Sequence, residues 1–431
     1  MAPRNLDPRI AAALWIGLIY AAIPIVRRAR EAFVAHWPAE LIAYAVIAVV
    51  LGALAATVIS LRRRHVRIDR VDLAWLIGVA AVVVVWTHRL MDQPEEAVHF
   101  LEYGVLGVLL YRVLEDRVPD PTVYVAATLA GLLVGTADEI IQWLVPGRFW
   151  DFRDIILNGG AVALVQIAVW RLAPRPLRAV SPPSLRFLCR LAAVQMLLLT
   201  MCLAATPRRL ARLTDHVPLP TRLATGADAI CEYGHRHTAN DRTVFLSRLS
   251  LDELARSDLD RTAEVAAELN ASRGADGLSR AAISPVEDPF GYEIRVHLFA
   301  RNRNLTKALA HQPGSPDHRR HMTTAWRENS ILEEFFGSTL QQSSYRWGPG
   351  RRREVEAAQD PNWSFVSRAG AHLITRISEG RLRALMLALL ALFVACDISS
   401  ATRSRPESPP VQKNRSRGRT GPGTRGSRAG R

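Results

Sequence analysis

Long apolar runs separated by short charged or proline-containing stretches fill the first half of the chain, and one more follows near its end. A bilayer core about 30 Å thick is crossed by about 20 helical residues. The runs therefore predict membrane helices over residues 10–26, 39–61, 71–86, 99–114, 122–145, 154–170 and 187–205, with a shorter, marginal one at 384–396. Arg4 and Arg9 precede the first run, but no small-residue cleavage pattern follows it, so it reads as a retained helix and not a removed signal peptide.

Beyond residue 205 the patterning changes. Ser250-Leu-Asp-Glu253 is a capping box ahead of a stretch to Leu269 with interspersed charge, which predicts an exposed helix. Tyr292, Ile294, Val296 and Leu298 alternate with charged residues and His297 as in a half-buried strand. Leu332, Phe335, Phe336 and Leu340 recur at helical spacing, and the stripe reads as a core or docking face. The expected fold is an all-α polytopic membrane protein of about seven to eight transmembrane helices with an extracytoplasmic α or α+β soluble region. The expected organisation is N-terminal transmembrane helices (1–87), a membrane core (88–171), a further helix (187–205), the soluble region (206–380), a C-terminal helix (384–396) and a disordered basic tail (399–431).

Composition refines this picture. The 431 residues are 49% hydrophobic, and a mean hydropathy of only +0.06 signals a mixture of membrane and water-soluble parts. The net charge of +15 is uneven: residues 399–431 carry nine Lys/Arg against the single Glu407, a local excess of eight. With almost no apolar residues to bury, that tail is expected to stay unfolded and to be drawn to anionic lipid beside its helix. Residues 206–380, with 24 basic and 22 acidic side chains, are nearly neutral and lack the basic stripe of a nucleic-acid binder, so no nucleic acid is expected as a partner. Arginine-rich loops lie on the cytoplasmic side. Five arginines in 62–70 and four in 171–186, against one in 88–98, place the N-terminus in the cytoplasm of a plasma (inner) membrane and residues 206–380 outside. Arg27, Arg28 and Arg30 are a misfit to this scheme. Of four cysteines only Cys231 lies in the soluble region, and the C-E-Y-G-H-R-H run to His237 lacks the paired spacing of a zinc site. No metal or cofactor is expected.

One stretch stands apart. GTADEIIQWLVPGRFWDFRDIILNGG, from Gly135 to Gly160, packs Asp138, Glu139, Gln142, Arg148, Asp151, Asp154 and Asn158 between two apolar runs. In the predicted topology His99, Glu102 and Tyr103 start the fourth span at the same outer level, on one helix face. Ionised side chains in hydrocarbon cost roughly 2.5–3.5 kcal/mol, so they turn toward the bundle interior and pair. Gly131 and Gly135 form G-x-x-x-G on the fifth span, while Gly104, Gly107, Gly159 and Gly160 relieve the fourth and sixth for close packing.

The ordered motifs H-F-L-E-Y-G-V-L-G (His99 to Gly107), G-T-A-D-E-I-I-Q-W-L-V-P-G-R (Gly135 to Arg148) and D-I-I-L-N-G-G-A (Asp154 to Ala161) resemble the VanZ-like family of bacterial membrane proteins, named for a protein associated with teicoplanin resistance. The resemblance covers about residues 88–170. It implies that His99, Tyr103, Glu139, Gln142, Arg148, Asp154 and Asn158 occupy the family's recurrent polar positions. Asp138 beside Glu139, and Trp150-Asp151-Phe152-Arg153 in the loop, depart from the usual pattern and leave ligand preference open.

Three readings follow. The leading one is a non-enzymatic envelope protein whose outer polar cavity binds a lipid-linked cell-wall precursor or glycopeptide-related ligand, with Arg148 on an anionic group. Its partners would be membrane lipid and that precursor. The second is an intramembrane enzyme acting on a lipid headgroup, with His99 as acid or base. It lacks H-E-x-x-H, G-x-S-x-G and Walker motifs. The third makes the polar residues interhelical packing bonds alone, worth about 0.6 kcal/mol each.

Overall fold

The computed structural model describes residues 6–403, apart from 64, 66–67, 92, 146–149, 173–178, 215, 217–228, 241, 273–277, 279–284 and 286. Arg148 and nearly all of the basic tail lie outside the described residues. Seven long helices come first: α1 (Pro8–Val34), α2 (Glu40–Arg63), α3 (Arg70–Arg89), α4 (His99–Leu114), α5 (Thr122–Leu144), α6 (Phe152–Leu172) and α7 (Pro182–Ala204). Local chemistry sets their starts. Asp69 and Asp72 form a capping box on α3, and Ser181 caps α7 ahead of Pro182.

These helices bury few of their side chains. Leu14 on α1 is 63% exposed and Ile77 on α3 57%, as expected where hydrocarbon is the solvent. With the last helix, eight helices among the described residues are long and apolar enough to cross a membrane. The chain is a multi-pass membrane protein, all-α in its membrane part.

Helices α4, α5 and α6 form the centre, built on Phe100, Leu106, Leu110, Val123, Ala127, Leu157 and Val162. α1 lies against α4 and α5, α3 against α6, and α7 against α5. The small residues act at the α5–α6 seam. A Cβ on Gly131 would stand 2.6 Å from Val162 Cγ2, and one on Gly159 2.7 Å from Leu132 Cδ1. At Gly131 a larger residue would have to displace the branched Val162, whereas the tip of Leu132 could turn away from Gly159. Gly107 is nearly as tight against Val165, whereas Gly104 has ordinary contacts.

The arginines that misfit the charge rule have a local explanation. α1 runs beyond the predicted end to Val34, and Arg30 pairs with Glu95 at 2.7 Å in the 3-10 turn Pro94–Val98, while Arg27 pairs with Glu31. Part of this positive charge is neutralised on the spot.

The soluble region starts with α8 (Pro207–Thr214) and a small sheet: β2 (His235–Ala239) antiparallel to β3 (Thr243–Ser247), with β4 (Phe365–Val366) parallel to β3. β1 (Glu232–Tyr233) pairs separately with β5 (Leu373–Ile374). Around the sheet lie α9 (Leu251–Asp260), α10 (Thr262–Ala271), α11 (Pro289–Leu309), α12 (Pro316–Phe335), α13 (Gly337–Gln342) and α14 (Pro349–Ala358). The capping box at Ser250 and Glu253 forms, but the predicted helix is two helices that break at Arg261.

The strand expected around Tyr292–Leu298 is instead part of α11, started by the Asp288 cap and Pro289. Its buried residues Phe290, Ile294, Leu298 and Arg301 follow helical spacing, which four alternating residues had masked. Leu332, Phe336 and Leu340 enter a core with Phe245, Leu254 and Leu269, so that stripe is core.

The last helix, α15 (Glu379–Arg403), is much longer than its apolar run of thirteen residues implied. It packs against α7 in the opposite direction: Asp397, near its end, pairs with Arg186 and Arg190 near the start of α7. Glu379, at its start, pairs with Arg209 just past the end of α7. Acidic residues near both ends of the helix, Glu379 and Asp397, are thus paired. The same end of α7 holds the soluble region, through Tyr233 OH donating to the Leu203 carbonyl at 3.1 Å.

Candidate functional site

The polar residues predicted on three separate helices do converge. Tyr103, one helical turn into α4, is fully buried, and its OH donates to Asp138 Oδ2 on α5 at 3.1 Å. Gln142, one turn further along α5, donates from Nε2 to Asp138 Oδ2 (3.3 Å) and Glu139 Oε1 (3.0 Å). The other oxygen of Glu139 accepts the backbone N–H of Asp151 at 3.1 Å, which ties the residue just ahead of α6 to α5. His99 Nδ1 stands 3.6 Å from Glu102 Oε2, and its ring tilts toward Tyr103.

Asn158 occupies the α6 side. It is fully buried and lies directly under Gly135, where an added Cβ would come within 2.8 Å of Asn158 Cβ. Among the described residues neither its Oδ1 nor its Nδ2 has a hydrogen-bond partner. A buried amide in that state costs about 1–3 kcal/mol, so the position is held by something other than its own bonding. Asp154, one turn earlier on the same face, is half-buried beside the connection. Of the seven residues singled out in the sequence, six are described here. Arg148 is not, and its side chain enters no geometry below.

Three contributors were missed or underweighted. Asp138, part of the polar stretch in the sequence but left out of the candidate site residues, accepts from both Tyr103 and Gln142. Two others come from α1: Trp15 Nε1 donates to the Glu102 carbonyl at 2.8 Å, and Tyr20 OH donates to the Val134 carbonyl at 3.0 Å. The available signal was two amphipathic aromatics inside an otherwise aliphatic run. Which helix they would meet was not legible.

Deeper in the bundle the polar contacts have a different character. Gln166 donates to the Gly107 carbonyl at 2.8 Å and Gln195 to Thr136 Oγ1 at 2.9 Å, which are single bonds between neighbouring helices. The end cluster differs in gathering the carboxylates of Glu102, Asp138, Glu139 and Asp154 with one imidazole and the two buried amides of Gln142 and Asn158. Such a set is rich in acceptors and suits a partner that presents hydroxyl, amide or ammonium donors.

Residues 41–173 match the model of the VanZ/LLP1 family. The matched segment runs from α2 to the end of α6 and contains the whole polar cluster apart from the α1 aromatics. No curated protein matches the chain, and no solved structure does.

Proposed function

The stretch from α2 to α6 is a VanZ-like membrane module, and from that premise we propose that the protein is a non-enzymatic component of the bacterial envelope whose polar cluster holds a hydroxyl- and amide-rich ligand. A lipid-linked cell-wall intermediate or a glycopeptide such as teicoplanin has that chemistry. Asn158 carries the proposal. A fully buried amide that has no partner among the described residues, one turn from Asp154 on α6 and packed under Gly135 of α5, is costly as packing and useful as a donor and acceptor for a ligand amide. The orientation that goes with it has the N-terminus in the cytoplasm and the cluster and soluble region on the outer face of the plasma membrane. That arrangement is supported by the arginine-rich loops and by the charge pairing of Arg30 with Glu95.

The test substitutes His99, Glu139, Arg148 and Asn158 singly with Ala and follows glycopeptide susceptibility together with the amount of protein in the membrane. We expect susceptibility to change while the membrane level holds, with Asn158→Ala leaving the level highest because it removes an unsatisfied group. If the level falls in parallel with every substitution, the cluster is interhelical packing and the ligand reading fails. Turnover of a labelled lipid-linked precursor by the purified protein would replace binding with catalysis.

A further inference from the structure

A cavity of about 1060 Å³ opens where α3 meets the underside of the soluble region. One wall is membrane helix. Val82, Val85 and Arg89 share a face of α3 at spacings of three and four, and Val82 and Val85 are 45% and 55% exposed, so this apolar stripe faces hydrocarbon and ends at a guanidinium. Trp86 lines the same wall. The rim is basic: Arg89 from α3, Arg153 from the first turn of α6, Arg320 from α12 and Arg368 from the segment after β4.

Among the described residues only Arg153 of the four makes an ion pair. Arg153 pairs with Glu96 at 2.8 Å and donates to Gln93 Oε1 at 3.3 Å. Among the described residues Arg89, Arg320 and Arg368 make no ion pair. Like charges from the membrane part and the soluble part around one cavity repel each other, unless an anion sits between them. Arginine is suited to that role, because its planar fork matches the oxygens of a phosphate.

We propose that this cavity binds the phosphate headgroup of an anionic membrane lipid, with an acyl chain running down α3 over Val85 and Val82. A free phosphate would use the arginines but gain nothing from the apolar wall, which continues directly into the hydrocarbon. The bound lipid would also bridge Arg89 and Arg153 of the membrane helices to Arg320 and Arg368 of the soluble region. The cavity's lining shares no residue with the Asn158 cluster. Trp86 in its wall packs inward, its ring 5.6 Å from that of Phe100 and within 2.7 Å of where a Cβ on Gly160 would lie. The lipid site therefore holds whether or not that cluster takes a ligand.

The test uses the full-length protein in detergent, with retained lipid counted by native mass spectrometry after exchange with phosphatidylglycerol or phosphatidylcholine. We expect selective retention of phosphatidylglycerol. Arg89→Gln, Arg320→Gln and Arg368→Gln should each weaken it roughly five-fold, the effect of one basic residue at a membrane surface, while exposed Arg256→Gln on α9 leaves it unchanged. Because the three positions are exposed and lie on three different elements, unchanged melting of each variant separates lost binding from lost folding. Equal retention of the two lipids, or an equal effect of Arg256→Gln, overturns the proposal. Displacement of phosphatidylglycerol by inorganic phosphate at matched concentration overturns it too, since it would mark a site for the free anion.

Discussion

Asp120 shows how a single carboxylate outside the spans ties the bundle together. It lies between α4 and α5, almost fully buried, accepting from the Thr122 backbone at 3.1 Å and from the Ser181 backbone at the start of α7, also at 3.1 Å. Burial pushes its pKa up, but hydrogen bonds from Thr122, Ser184 and Ser181 outweigh that and bring it from the ordinary 3.8 down to about 2. The ionised form is therefore favoured by folding. Its contribution is fully present above the unfolded value and is lost as pH falls through the folded one. Thermal melts in detergent should show a loss of stability between about pH 4 and pH 2, and Asp120→Asn should flatten that limb while lowering the melting temperature at neutral pH. Glu232 in the soluble region follows the same logic. Burial opposes its charge, but His372 and Arg248 beside it lower its pKa overall.

The α5–α6 pair is set by what its small residues leave out. With Gly131 against Val162 and Gly135 against Asn158, the two helices approach too closely for a side chain at either position without a shift, whereas at Gly159 a Cβ would meet only the tip of Leu132. Gly135→Leu should push α6 outward, cost about 1–3 kcal/mol of stability as an overpacked contact, and displace Asn158. The measurement is the unfolding midpoint in detergent. The control Gly78→Leu on α3, where a Cβ meets nothing within 4 Å, should leave the midpoint near that of the parent. α15 illustrates the opposite case, an element whose ends are set by charge. Asp397 reaches Arg186 and Arg190 of α7 at 3.2 Å, and Glu379 reaches Arg209 at the other end, so charged residues extend the helix past its apolar run.

Across the described residues, antiparallel packing of α7 and α15 puts the soluble region at one end of that helix pair and Arg403, the last described residue, at the other. A membrane-impermeant maleimide should therefore label Ser250→Cys in intact cells, and Ser408→Cys only after the membrane is opened. Labelling of both in intact cells would mean that α15 does not cross. Much of this architecture was legible in advance, because a stretch of apolar residues long enough to span hydrocarbon has few alternatives to a helix that satisfies its own backbone. The seven long helices and the close α5–α6 seam follow from that local physics. Other features depended on neighbours distant in sequence. The segment around Ile294 is helical because Phe290, Ile294 and Leu298 meet Phe245 and Phe336, a choice that a short alternating window could not make. Trp15 and Tyr20 joined the polar site only when α1 folded onto α4 and α5. Arg89, Arg153, Arg320 and Arg368 share no sequence motif, being spread over nearly three hundred residues. Spacing along one helix determines which side chains share a face, whereas a cavity made from several elements exists only once those elements have packed.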